Sequence, residues 1–424
     1  MEIIRYPARS DWDGLLKRPA MDFREVDSVV MPILRDVRER GDAALMAYTR
    51  KFDKVDLPDP GVTGEEFGEA ELMVDDGLKQ AIDVAVRNIG KFHKMQQQPT
   101  RKIVTAPGVT CWQKSVAIQK VGLYIPGGSA PLFSTVLMLA IPARIAGCSE
   151  IILCSPPGLN GKLHPAVLYA AQITGVTRVF KAGGAQAIAA MAYGTESVPR
   201  VYKIFGPGNQ YVTAAKQLVS RGDVAIDMPA GPSELAVIAD DSANPAFVAS
   251  DLLSQAEHGT DSQVILITDS EAMADHTSHE VDDQLKVLSR KDIAAQSLMH
   301  SKILVLNSPG ECLEMVNEYA PEHLIIASDR AEYLADGIIN AGSVFIGHYT
   351  PESAGDYASG TNHTLPTNGY AKSYNGVNLD DFVKKITFQQ ITRDGLENIG
   401  QAIMKMAETE ALTAHKNAVS IRLK

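Results

Sequence analysis

What most constrains this chain is a rhythm that sets in near Val116. Short apolar runs, each of a length for one buried strand, are separated by segments of helix-forming length. KVGLYIP, EIILCSP, RVFKAGG and KIFGPG make a first series; ELAVIAD, SQVILIT, KILVLN, HLIIAS and SVFIG make a second. Unbroken apolar runs suit strands covered on both faces, and their alternation with helices is the βαβ pattern of a parallel sheet. Two series of similar size predict two successive α/β units, although no aligned residue repeat accompanies them. The boundary falls near AIDMPAGPSE, around Pro229 to Ser233. A chain of 424 residues is also too long for one compact core and fits two or three domains. In such sheets ligands lie at the carboxyl ends of the strands, and several Gly-rich turns of this chain fall there.

Helical texture flanks these units. Between residues 22 and 56, Val26, Val29, Val30, Ile33, Leu34 and Val37 share one helical face, and Gly41-Asp42 reads as a stop followed by a new N-cap. A second stripe runs through Leu78, Ile82, Ala85, Val86, Ile89 and Phe92. Residues 379 to 424 read as mostly helical, with Leu396, Ile399, Ile403 and Met406 on one face. A lone apolar stripe needs a surface to bury against, either in its own domain or in a second subunit.

Composition excludes several partners. A net charge of −11 leaves no excess of basic residues for nucleic acid or an anionic membrane. The N-terminus lacks a basic region followed by an apolar one, and no window approaches a membrane span. Cys111, Cys148, Cys154 and Cys312 show no CxxC spacing and read as free thiols in a reducing compartment. A soluble, cytoplasmic protein is expected.

Chemistry concentrates in three stretches. PESAGDYASGTNHTLPT, from Pro351 to Thr367, holds Asp356 and His363 among small and turn-forming residues that let backbone approach a ligand. SQAEHGTD puts Gln255 and His258 three apart, on one face of a helix. His258 and Asp356, with either His363 or His415, could make a site of His and carboxylate ligands, and Gln is a rare ligand that spacing does not nominate. PEH supplies Glu322 and His323; adjacent side chains reach one substrate only from a turn, which Pro321 allows. The turns GLYIPGGSAP, KAGGAQAIAA and FGPGN suit an anionic small molecule, and none is a GxGxxG fingerprint.

The blocks VGLYIPGGSAPLFSTVLMLAIPARIAGC, GGAQAIAA, IFGPGN, AIDMPAGPSE, DLLSQAEHG, PEHL, PESAGDYASGTNH and LTAHKNAV resemble the histidinol dehydrogenase family over roughly residues 20 to 424. That resemblance implies oxidation of L-histidinol to L-histidine by two NAD in succession through a bound aldehyde, as the last steps of histidine biosynthesis. It implies one zinc per subunit on Gln255, His258, Asp356 and His415, the last lent by the other subunit of an intertwined homodimer. His323 would take the alcohol proton, and Glu322 would activate the water that attacks the aldehyde. Substrate contacts would be Ser233, His363 and Glu410 together with Gln255, His258, His323, Asp356 and His415; NAD contacts would be Tyr124, Gln186 and Asn209. The implied fold is α/β: two incomplete Rossmann-like parallel-sheet domains with helical N- and C-terminal segments. Residues 1–25 would be an N-terminal segment, 26–112 with 232–370 the first α/β domain carrying most of the zinc and catalytic site, 113–231 the NAD-binding domain, and 371–424 a tail exchanged in the dimer. Without the resemblance, a zinc hydrolase or a non-catalytic two-lobed binding protein would also fit. Glu410 and His415 are five apart, so a regular helix would set them about 140° around its axis; either the helix breaks near Thr413 or they meet different parts of the substrate.

Overall fold

The computed structural model describes residues 1–19, 23–127, 131–229 and 231–424. Part of the GLYIPGGSAP turn and one residue of AIDMPAGPSE therefore lie outside the described residues. Fourteen strands are described: β1 (Glu2–Arg5), β2 (Lys102–Ala106), β3 (Val109–Ala117), β4 (Lys120–Tyr124), β5 (Glu150–Ser155), β6 (Arg178–Lys181), β7 (Lys203–Phe205), β8 (Ala225–Ile226), β9 (Glu234–Ala239), β10 (Gln263–Thr268), β11 (Lys302–Val305), β12 (His323–Ala327), β13 (Ser343–Ile346) and β14 (Val383–Ile391). They form two parallel sheets, β6-β5-β4-β7-β8 and β1-β11-β10-β9-β12-β13. Every residue of β9, β10 and β12 is buried, as their unbroken apolar runs require.

The helices between the strands are sealed by local chemistry. Asn244 caps the Pro245–Ala256 helix through its side chain, with Pro245 at the first helical position where its missing N–H costs nothing. Thr63 and Glu66 make a reciprocal capping box at the start of the Gly64–Met73 helix. The Phe133–Ala146 helix has apolar residues around its whole circumference and is buried on all sides from Ser134 to Ala143.

Three features depart from the sequence reading. Residues 2–5 form an edge strand of the six-stranded sheet, paired with β11. A third, antiparallel sheet, β14-β3-β2, takes part of the tail: Val383–Ile391 is a nine-residue strand, not helix. Its β-branched and aromatic residues, Val383, Ile386, Thr387, Phe388 and Ile391, give the physical reason. Finally, the Phe23–Arg40 helix packs on the Gly184–Tyr193 and Gln210–Ser220 helices, and the Asp76–Lys94 helix packs on Phe133–Ala146. The apolar stripes of residues 23–94 thus join the core of the five-stranded sheet, in two clusters that include Val30, Leu34, Ile82 and Ile89. They do not share the core of the 232–370 unit, with which the family resemblance groups residues 26–112.

The candidate active site

Strand ends of the two sheets, opposite in polarity, line one crevice. The carboxyl ends of β7 and β8 carry Gly206, Pro207, Gly208, Asp227 and Met228. The amino ends of β9 and β12 carry Ser233, Glu234, Glu322 and His323. A narrow crevice lies between these edges, lined by Gly206, Asp227, Ser233, Glu322 and His363 among others. On the five-stranded sheet the crevice lies at the carboxyl ends of the strands, where ligands of such sheets are held. The acid–base residues of the six-stranded sheet lie at its amino edge instead.

Glu322 and His323 enter from a turn, as Pro321 allowed. Ala320 has φ 53°, a left-handed conformation that ends the Pro309–Tyr319 helix and turns the chain into β12. Both side chains are buried, and Glu322 Oε2 lies 3.7 Å from His323 Nδ1. Glu322 Oε2 accepts the backbone N–H of Glu234 at 2.8 Å, and Gln255 Nε2 lies 3.4 Å away. Gln255 Nε2 also donates to the Glu234 carbonyl and lies 3.2 Å from His323 Nδ1. Behind them Arg18 grips Glu234 with both prongs, at 2.6 and 2.8 Å, and lies over the Tyr319 ring. Because Glu234 is buried, losing Arg18 would strand a charge at a cost of about 3–5 kcal/mol.

The segment from Pro351 forms one short helix, Glu352–Tyr357, followed by an irregular stretch. Asp356 Oδ1 lies 3.6 Å from His323 Nε2, and Glu352 Oε1 lies 3.6 Å from His323 Nδ1. One ligand atom from each of His323, Glu352 and Asp356 lies within 4.8 Å of the others, a donor set suited to a divalent cation. Glu352 Oε1 is buried with no hydrogen-bond partner among the described residues. Burial pushes the Glu352 carboxyl up to about 8. Burial opposes the charge on His323, but the carboxylates of Glu352, Glu322 and Asp356 outweigh it and raise the imidazole well above its usual value. Burial also disfavours the Asp356 carboxylate, yet His323, His363 and His258 hold it below its ordinary range.

Other expected residues divide into two groups. His363 Nδ1 lies 3.0 Å from the Asp356 carbonyl and its Nε2 3.1 Å from Thr135, tying this segment to the helix over the other sheet. His258 follows the Pro245–Ala256 helix, its N–H bonded to the Gln255 carbonyl; it is exposed and its field reaches Asp356 and His363. Glu410 and His415 are exposed, and no hydrogen bond or ion pair joins either to the cluster among the described residues. The helix between them does break: Arg393–Thr409 ends, Ala411 has φ 58°, and Thr413–Ser420 begins anew. Sequence reasoning missed Glu352, although its placement four residues before Asp356 on a helical turn puts both on one face.

Tyr124, Gln186 and Asn209 come together. All three line a cavity of about 880 Å³ across the carboxyl ends of β4, β5 and β6, within the range of small-molecule and cofactor sites. The Gly184 N–H donates to the Tyr124 hydroxyl at 3.1 Å. Asn209 caps the Gln210–Ser220 helix, and the Gly184–Tyr193 helix also starts here, so two positive helix ends face the cavity rim. Gly206 (φ 123°) has no room for a side chain: a Cβ would lie 2.1 Å from the Tyr124 carbonyl oxygen. The turn is fixed by Asp227 Oδ2, which accepts the Gly206 N–H, and by Lys216, which donates to the Gly206 carbonyl and pairs with Asp227 at 2.5 Å.

A cofactor-sized cavity at the switch point of one parallel sheet, with a buried Glu–His couple at the amino end of a strand in another, fits a two-domain α/β enzyme of the dehydrogenase type. The histidinol dehydrogenase family model matches residues 16–423. A histidinol dehydrogenase of Bacteroides thetaiotaomicron is 61% identical over 423 residues, covering 100% of this chain and 99% of the relative. One from Pectobacterium atrosepticum is 55% identical over 96% of this chain and 92% of the relative. The crystal structure of histidinol dehydrogenase from Elizabethkingia anophelis, 54% identical, superposes with a TM-score of 0.98 over 100% of this chain and 98% of that one. The chain belongs to the histidinol dehydrogenase family.

Proposed function

We propose that the chain oxidises L-histidinol to L-histidine, with two NAD consumed in succession and the aldehyde held between the steps. The observation that carries this reading is two adjacent buried bases, Glu322 and His323, in the same chain as a cofactor-sized cavity lined by Tyr124, Gln186 and Asn209. Two oxidations need two proton-transfer tasks. The alcohol loses its hydroxyl proton as a hydride leaves for the first NAD. The aldehyde then adds water, which must lose a proton, and the hydrate gives its hydride to the second NAD.

His323 accepts the alcohol proton at Nε2, the ring atom that faces Asp356. Gln255 and Glu234 steady the ring from the Nδ1 side. Glu322, whose Oε2 is committed to Glu234 and Gln255 and whose side chain lines the crevice, takes the water proton at Oε1. Ser233, His363 and, from the other subunit, Glu410 would complete the substrate contacts.

Zinc would be held by Gln255, His258 and Asp356, with His415 of the partner subunit as the fourth ligand. The ion supplies an anchor for the imidazole and amino groups of the substrate, and its charge would lower the proton affinity of His323 toward the neutral form a base needs. Buried Glu352, facing His323 beside Asp356, adds an acceptor to this donor set. Fixing the substrate by one end leaves its carbinol end to face bases and cofactor, which is worth several kcal/mol of barrier, of order 7–11 at the upper limit.

A homodimer is part of this reading. Ile103, Val104, Ile386, Phe388 and Ile391 of the antiparallel sheet are exposed, as are Met406, Leu412 and Ile421 of the tail. Apolar surface grouped in this way suits a subunit interface. A cytoplasmic setting agrees with four cysteines free of disulfides. Among the described residues no helix is long and apolar enough to cross a membrane.

The test is a stoichiometry. Zinc-replete protein given histidinol and excess NAD should form two NADH per histidinol consumed. Glu322→Gln should retain much of the first oxidation and stall on added aldehyde. No NADH from metal-replete dimer, or one NADH per histidinol, contradicts the reading.

A further inference from the structure

Behind the two bases lies a buried ion pair that the reading above does not use. Its carboxylate belongs to Glu234, whose main chain is a hub of the site. The Glu234 N–H holds Glu322 Oε2 at 2.8 Å. The Glu234 carbonyl accepts Gln255 Nε2 at 3.0 Å and lies 3.4 Å from His323 Nδ1. Three side chains given chemical tasks thus take their places from the main chain of one residue. The Glu234 side chain is itself clamped. Arg18 Nε lies 2.6 Å from Oε1 and Arg18 Nη2 lies 2.8 Å from Oε2, and the Asn368 N–H adds a bond to Oε1 at 2.6 Å.

Arg18 also reaches the turn that carries the bases. Its Nη2 donates to the Tyr319 carbonyl at 2.7 Å and lies 3.4 Å from the Ala320 carbonyl. The next two carbonyls, of Pro321 and Glu322, accept the N–H groups of Gly342 and Ser343 at 2.9 and 3.0 Å. Four successive carbonyls are therefore held, at a turn where Ala320 has φ 53°, a region alanine rarely occupies. The segment of Arg18 is pinned in its turn. Gln263 Nε2 donates to the Lys17 carbonyl at 3.1 Å, and Gln263 Oε1 accepts the Tyr319 hydroxyl at 2.9 Å. A planar guanidinium can span two carboxylate oxygens and a carbonyl at once, which a lysine ammonium cannot. The two side chains are 17% and 2% exposed, so solvent screens the pair little.

We propose that Arg18, acting through Glu234 and the Tyr319–Glu322 turn, is a positioning residue that aims Glu322 and His323 at the substrate. This rests on the two-base reading of the site. Among the described residues no hydrogen bond joins Arg18 to either base, and it makes or breaks no bond in the reaction. Its link to Glu322 is the more direct, since Glu322 accepts the Glu234 N–H, whereas His323 also has Gln255 beside its Nδ1. The aldehyde step, which uses Glu322, therefore depends on Arg18 more than the alcohol step does. A catalytic group misplaced by about 1 Å can lose on the order of 10²-fold in rate.

The experiment compares full-length, zinc-loaded wild type with Arg18→Ala and Arg18→Lys, each checked for folding by thermal melting. NADH formation is followed from added aldehyde, and as the first NADH released from histidinol in a single turnover. In Arg18→Ala, kcat on the aldehyde should fall about 100-fold and the first NADH from histidinol should slow about 10-fold, with KM for NAD within about twofold of wild type. Millimolar guanidinium ion should return at least about 10-fold of the lost aldehyde rate, and methylammonium, with the same charge and no fork, should not. Arg18→Lys should lose about 10-fold on the aldehyde although it keeps the charge. A wild-type aldehyde rate in folded Arg18→Ala overturns the proposal. The same rate in Arg18→Lys overturns it even if the alanine variant does not fold. So does a loss in Arg18→Ala that guanidinium leaves unrelieved, or that methylammonium relieves equally. If wild type itself forms no NADH from the aldehyde, the two-base reading falls instead.

Discussion

His323 sits among three carboxylates, and its reactivity is set by which of them is neutralised. Its replacement by Asn keeps a similar shape and removes the proton acceptor. Turnover of histidinol should fall on the order of 10²- to 10⁴-fold. NAD affinity measured by titration should change less than twofold, since His323 does not line the large cavity. Unchanged turnover would remove the base from His323. The residues that the sequence singled out and the fold brings together are Glu322 and His323 beside a proline, and Asp356 and His363 in a run of small residues. Glu352 was not legible. A lone carboxylate in a sequence reads as solvated, and what singles this one out is an oxygen buried without a partner among the described residues, which only tertiary packing creates.

The helix Pro245–Ala256 and the short helix Glu352–Tyr357 dock through polar groups as well as side-chain packing. Ser254 donates to Glu352 Oε2 at 3.2 Å, and Asp251 accepts a hydrogen bond from the Glu352 backbone. Burial raises the Asp251 carboxyl from 3.8 to about 7, so the folded state holds its proton more tightly than the unfolded chain. Its protonated form therefore favours folding below about pH 4, and that advantage is lost as the pH rises through 7. Asp251→Asn keeps an acceptor and removes the titration. In urea melts, wild type should lose roughly 1–3 kcal/mol relative to the variant between pH 5 and pH 8, a figure reduced for partial exposure. Parallel changes in both proteins would contradict this. Elements buried on both faces were plain in the sequence because apolar runs such as ELAVIA and QVILIT admit one reading. The strand Val383–Ile391 was not, since nearly all of it is exposed in the single chain and its pattern follows a neighbour, β3, more than 260 residues earlier.

As a whole, the molecule sets carboxyl strand ends of one parallel sheet against amino strand ends of another, so that Gly206, Asp227 and Glu322 line one narrow crevice. Two α/β units could be read from the order of strands, but not this opposed polarity. Nor could the sequence place residues 23–94, whose amphipathic helices would suit either core. The remaining gap is in the tail. Glu410 and His415 lie exposed, and the proposed zinc site would draw His415 from a second copy of the chain. That claim has a direct measurement. Mix His415→Ala chains with His258→Ala chains, each inactive alone, refold them together, verify heterodimers by mass, and assay NADH formation from histidinol. Sites shared between subunits leave one intact site in two, and activity should return to about half of wild type per heterodimer. Verified heterodimers with no more activity than either parent would show that each site is built within one chain.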